Sequence, residues 1–264
     1  MLEDLYVIIP NYVIMDSFAV NNYLAYVTAY VEIFHNQGKV GITSIEAITK
    51  KLYGNDYEKR SKKHEAIKDA MILLSEGTDE IDSYSYWFFV YDEDVKDIGY
   101  NSIITYEICH GKVIGYTPLT YTEFDAILYF CNEWNNSKGN SKVDTVIILN
   151  MYLLLKMNIR LKESINKRTG DKDNYFIGTK KLREKTNLNK ETIRKYINFL
   201  VEVGFIKIPK KGGLSSGESN EYVLCNSAIK KFESICEEEN DSSDSNEEKA
   251  IIDSNDEDEL DFEF

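Results

Sequence analysis

The stretch from Asp144 to Leu224 constrains the fold more than any other part of the chain, because several local signals occur there in one order. An apolar run of helical length is followed by TKKLREKT, a second helical segment, and then by the three residues NLN. KETIRKYINFLVEV comes next, and FIKIPKKGGLSSGESNEYVL closes the stretch as two strands around a glycine-rich loop. Within KETIRKYINFLVEV the apolar residues Ile193, Ile197 and Leu200 fall at i, i+4 and i+7, one face of a helix. Asn189 stands where it can accept hydrogen bonds from the first free amides of that helix, and Gly204 can take the left-handed conformation that ends it. Helix, helix, short turn, capped helix and hairpin in that order predict a helix-turn-helix with a wing.

Charge is distributed unevenly in a way that matters for partners. The chain carries a net charge of −14, which taken whole argues against a polyanionic ligand. Residues 1–140 hold 11 basic and 21 acidic side chains, residues 141–236 hold 19 and 10, and residues 237–264 hold 1 and 14. The one basic block is therefore the block with the helix-turn-helix pattern, and double-stranded DNA is the partner it predicts.

If Ile193, Ile197 and Leu200 face the core, Lys190, Thr192, Arg194, Lys195 and Asn198 lie on exposed or flanking faces of the N-terminal half of the helix, the half that enters the major groove in helix-turn-helix proteins. Arg194 suits bidentate reading of guanine, Asn198 suits adenine, and Thr192 can touch a base or a phosphate. Lys180, Lys190 and Lys195 suit phosphates, and Lys210 and Lys211 place two more cations at the start of the wing loop. The plain alternative is that these lysines form a solvated helix face and that the unit docks a protein.

A weaker copy of the same order precedes it. NNYLAYVTAYVEIF reads as a first helix, and GITSIEAITKKL as a second with Thr43 and Glu46 at capping-box spacing. KRSKKHEAIKDAMILLSEG reads as a third, with Ile67, Met71 and Leu74 on one stripe, and WFFVYDEDVKDIGY supplies a wing strand. The expected organisation is a first winged-helix-like domain over 1–100, a connector of strands and a helix over 101–140, a basic winged helix-turn-helix over 141–236, and a disordered acidic tail over 237–264. The fold class is α+β, mainly helical. In the connector a helix is expected to start near Thr120 or Thr122, and SKGNSK at 137–142 is the expected hinge. Pro10 in LYVIIPNYVI marks an edge or entry strand. The first unit is acidic overall, so dimerisation or partner docking suits it better than DNA, although Arg60, Lys62, Lys63 and His64 could touch a phosphate.

Catalytic signatures are not found. There is no GxxxxGK[ST] phosphate loop, and DKDN at 171–174 departs from a calcium loop at Phe176 and Leu182, where glycine and glutamate are required. Cys109 and His110 are adjacent in a strand-like run and so point to opposite faces. The four cysteines form no CxxC pair and no histidine stands at metal spacing from a second ligand, so free thiols, no metal and no cofactor are expected in a non-enzyme. No run of about 18 apolar residues occurs, and MLEDLYVIIP lacks a basic n-region and a cleavage site, which predicts a cytoplasmic protein away from membranes.

LYVIIPNYVI, TPLTYTEFDAIL and LNMYLLLKMNIRLKE with TKKLREKTNLNKETIRKYINFLVEVGFIKI resemble winged-helix replication proteins of plasmids and phages of low-GC Gram-positive bacteria, which include replication initiators and DnaD-like primosome components. The resemblance spans roughly residues 5–225 and implies binding at an origin or regulatory site through Lys190 to Asn198 and the Lys210 and Lys211 wing, with oligomerisation through the first unit; a homodimer is the expected state. A transcriptional or partition regulator of a mobile element would use the same contacts. The acidic tail departs from those families, and its ending DEDELDFEF is similar in character to the C-termini of single-stranded-DNA-binding proteins. Leu260, Phe262 and Phe264 could therefore recruit a replisome or polymerase component. The same polyanion could instead fold back on the basic block, or serve only solubility.

Overall fold

A computed structural model describes residues 5–35, 40–54, 62–76, 88–90, 94–108, 115–137, 139, 141–170, 175–210 and 219–238. It is mainly helical with three small antiparallel sheets, an α+β fold. In chain order the elements are β1 (Tyr6–Pro10), α1 (Asn11–Ala19), α2 (Leu24–Ile33), β2 (Gly41–Thr43), α3 (Ile45–Tyr53), α4 (Lys62–Glu76), β3 (Phe88–Val90) and β4 (Ile104–Ile108). They continue as β5 (Tyr116–Thr120), α5 (Tyr121–Asn136), α6 (Thr145–Thr169), β6 (Tyr175–Ile177), α7 (Thr179–Thr186), α8 (Lys190–Val203), β7 (Ile206–Lys207), β8 (Asn220–Leu224) and a last helix α9 over 227–238.

The same order of eight elements thus occurs twice before α9. The strand pairing repeats as well: β4 lies between β2 and β3, and β8 lies between β6 and β7. β4 falls where the sequence predicts the start of a connector, yet it is the middle strand of the first sheet. The leading strands of the two halves, β1 and β5, pair with each other, Tyr6 opposite Thr120 and Pro10 opposite Tyr116. In a two-stranded ribbon both strands are edges, which is where proline is tolerated.

Helix α6 is the central pillar. Every residue from Val146 to Lys156 is buried, so the helix is surrounded on all sides over three turns, with Asn150 and Lys156 as its buried polar positions. Asp144 caps its start by accepting from Val146 and Ile147 amides, and Gly170, at φ 78°, ends it. The first half closes over it through α1 and α2, where Asn150 donates to the Asn22 carbonyl at 2.8 Å. One continuous apolar core runs through both halves.

Local chemistry explains most boundaries and corrects some. Thr120 and Glu123 form a reciprocal capping box that starts α5. For α3 the cap is Ser44, which accepts from the Ala47 amide at 3.0 Å, and not Thr43, which ends β2 with its side chain buried. α1 is not foreseen by the sequence pattern: it begins directly after Pro10, has no side-chain cap, and its short apolar run fits a strand equally well. Of the expected hinge at 137–142, residues 138 and 140 lie outside the described residues, and its two flanks are joined: Asn135 exchanges two hydrogen bonds with the Val143 backbone and the Trp134 indole donates to the Ser141 carbonyl. The acidic tail is expected from residue 237, but Glu237 and Glu238 belong to α9; residues 239–264 lie outside the described residues.

Gly41 fits because it has no side chain. A Cβ there would fall inside the ring of Tyr106, which is fully buried and anchored by donating to the Val31 carbonyl at 2.9 Å. Gly41→Ala is expected to lower stability by about 1–3 kcal/mol through overpacking, measured as a shift of the urea midpoint; an unchanged midpoint would mean the ring has room to move.

Candidate nucleic-acid interface

The segment from α7 to β8 carries most of the side chains that the sequence assigns to DNA. α7 ends at Asn187 in the left-handed conformation, φ 55°, and α8 starts at Asn189, whose side chain accepts from the Thr192 amide at 2.8 Å. The turn between them is fixed by Thr186, whose hydroxyl donates to the Leu182 carbonyl and accepts from the Leu188 amide. α8 ends at Gly204, φ 99°, where a side chain would also press on Ser227. Both ends of this helix are therefore held by chemistry local to it.

Its inner face buries Ile193, Tyr196, Ile197, Phe199 and Leu200. This burial pushes the Tyr196 phenol above its ordinary pKa. The outer face carries Lys190, Arg194 and Asn198, all exposed, at i, i+4 and i+8. At 1.5 Å per residue that row is about 12 Å long, the order of a major-groove width. Lys190 lies at the helix start, where the helix dipole also favours an anion.

Other predicted residues sit differently. Thr192 is half-buried. Lys195 is half-buried too, its ammonium donating to the Lys142 carbonyl and lying 5.5 Å from the Tyr196 ring centroid, which takes it out of the exposed row. Lys180 is exposed on α7, and Lys210 is exposed just beyond β7, where its carbonyl accepts from the Glu221 amide and holds the root of the hairpin. Lys211 lies outside the described residues, as do Arg60, Cys109, His110, DKDN at 171–174, and Leu260, Phe262 and Phe264.

Lys142, Lys181, Arg183 and Lys207, all exposed, are not singled out by the sequence pattern. α7 buries only Leu182 and Thr186, so Lys181 and Arg183 have to face outward. Lys207 alternates with buried Ile206 along β7, a period-two signal. Lys142 is brought beside α8 only by the clamp on Val143, which no local pattern announces.

No protein-family model, no curated protein and no solved structure matches this chain. Among the described residues no group of three or more side chains is arranged to hold a metal ion, and no helix is long and apolar enough to cross a membrane.

Proposed function

We propose that residues 141–236 form a winged helix-turn-helix that reads double-stranded DNA, within a tandem pair of such units acting in replication initiation or primosome loading of a plasmid or phage. The observation that carries the reading is the exposed row Lys190, Arg194 and Asn198 on a helix capped at both ends and buried on its opposite face. Lys180, Lys181 and Arg183 on α7 and Lys207 and Lys210 on the hairpin add cations from the flanking elements. Asn198 and Arg194 have the donors and acceptors for base edges; the lysines supply affinity without sequence.

The repeated element order and the repeated strand order support a tandem arrangement. In the first unit Ile42 on β2 (63%) and Ile103 just before β4 (79%) are exposed, which suits contact with a second copy better than contact with phosphates. A homodimer through that unit is part of the proposal.

Selection of bound fragments from the host replicon supplies the target and its location. A target at an origin supports replication, and one at a promoter or partition locus supports the regulatory alternative. On that target Arg194→Ala is expected to cost about 1–3 kcal/mol, with a much smaller loss on random duplex. Equal losses on the two DNAs, read by fluorescence anisotropy at one salt concentration, would make Arg194 a phosphate contact and leave base reading to Asn198.

A further inference from the structure

Among the described residues of the second half, two features at opposite ends of α6 carry accessible apolar side chains. The first is a groove of about 440 Å³ between α5, the end of α8 and α9, lined by Tyr129, Trp134, Val203 and Ile235 together with two acids, Glu133 and Glu202, and one cation, Lys231, which lies over the Phe130 ring. It lies at the N-terminal end of α6, because α5 runs antiparallel to α6: Glu123 near the start of α5 meets Lys156, and Asn135 near its end meets Val143. The second feature is the C-terminal overhang of α6. Burial stops at Ile159, yet the helix continues for ten residues to Thr169.

On that overhang Leu161 and Ile165 stand one turn apart on one face, 59% and 42% exposed. Arg160, Lys162, Lys167 and Arg168 surround them, with Glu163 as the one acid. Asn158, on the same side as Ile165, accepts from Lys185 on α7, so the apolar pair begins where α7 stops covering the helix. Two exposed aliphatic side chains on a solvated helix end have no role in the core.

The features complement each other in shape and in sign. A convex, basic, aliphatic helix end lies at one pole, and a concave, partly aromatic groove with two acids to one cation lies at the other. On α9 the acids Glu233, Glu237 and Glu238 outnumber Lys230 and Lys231, so this pole is net negative. Along α6 the poles are about 25–30 Å apart at 1.5 Å per residue. One molecule therefore cannot bring its own helix end into its own groove.

We propose that the groove receives the α6 overhang of a second copy, so that molecules associate head to tail through their second halves. Leu161 and Ile165 enter between Tyr129, Trp134 and Ile235, while Arg160 and Arg168 approach Glu133 and Glu202. Such a contact is heterologous: it propagates instead of closing, and it differs from an isologous dimer through the first sheet. Sites of this size give weak, concentration-dependent association, which suits a protein gathered on neighbouring DNA sites. Neither pole uses a residue assigned to DNA, so the association holds whether or not the chain binds a duplex.

Sedimentation velocity of the full chain without DNA tests it. Over about 5–500 µM the average mass is expected to climb without a plateau, as heterologous contacts require. Leu161→Asp with Ile165→Asp, and separately Glu133→Lys with Glu202→Lys, are each expected to stop the climb. All four positions are exposed, so melting temperatures should stay close to the parent's. Because each double variant keeps one good pole, a labelled trace of the first is expected to sediment faster in excess of the second than in equal excess of itself. A mass constant with concentration, persistent climbing in either variant, or equal sedimentation in the two mixtures would overturn the proposal.

Discussion

Lys156→Met is expected to destabilise the protein by about 3–5 kcal/mol, the cost of leaving one partner of a buried ion pair uncompensated. Lys156 on α6 is 3% exposed and its ammonium lies 2.5 Å from both carboxylate oxygens of Glu123 on α5. One of those oxygens also accepts from the Tyr152 hydroxyl, and the other from the Thr120 amide. Burial first, and then the adjacent carboxylate, push the Tyr152 phenol well above its ordinary pKa, so it remains a donor. Removing the ammonium leaves a carboxylate with two neutral donors in an apolar setting. Adding Glu123→Gln to Lys156→Met removes the charge, keeps one oxygen to accept from the Thr120 amide and lets the new NH2 donate to the Tyr152 hydroxyl, and is expected to restore more than half of the loss. Urea denaturation of the two variants measures this, and a single-variant loss below about 1 kcal/mol would show that the pair is not needed to neutralise the site.

The second large effect concerns DNA. Replacing Lys190, Arg194 and Lys210 together with alanine is expected to weaken duplex binding at least a hundredfold at about 0.1 M salt. It should also flatten the plot of log affinity against log salt by roughly 2 units, close to 0.9 for each of the two phosphates that Lys190 and Lys210 no longer neutralise. For the parent, four to six neutralised phosphates give a slope of about −4 to −5. All three residues are exposed, so the thermal midpoint should not move with the affinity. A hundredfold loss with an unchanged slope would mean that the phosphates are met elsewhere, with Lys181, Arg183 and Lys207 the nearest candidates.

How much of this is legible in the sequence depends on how local the cause is. α8 is legible to the residue, because Asn189, the Ile193, Ile197 and Leu200 stripe and Gly204 each act within four positions of one another. The start of α5 is legible for the same reason. Glu123, by contrast, reads in sequence only as an acid in a first helical turn, while its decisive partner lies 33 positions away in an apolar run. α1 is missed because nine residues with no cap and no clear polar face do not declare a period. β4 is misplaced because a middle strand is defined by its two neighbours, and one of them, β2, comes from far back in the chain. Of the candidate site, the row on α8 follows from periodicity; the withdrawal of Lys195 toward Lys142 depends on a tertiary clamp and has no local signal.

The ribbon of β1 with β5 has a practical consequence for anyone who would cut the gene in two. A fragment ending before residue 116 would present the unpaired edge of Tyr6–Pro10 to solvent, an invitation to sticking between chains. A fragment ending at 140 would repair that edge but strip Glu123 of its counter-ion and uncover the faces of α1, α2 and α5 that lie on the pillar. Behaviour seen in either piece would describe the wound and not the part, so dissection is better done by point changes in the intact chain.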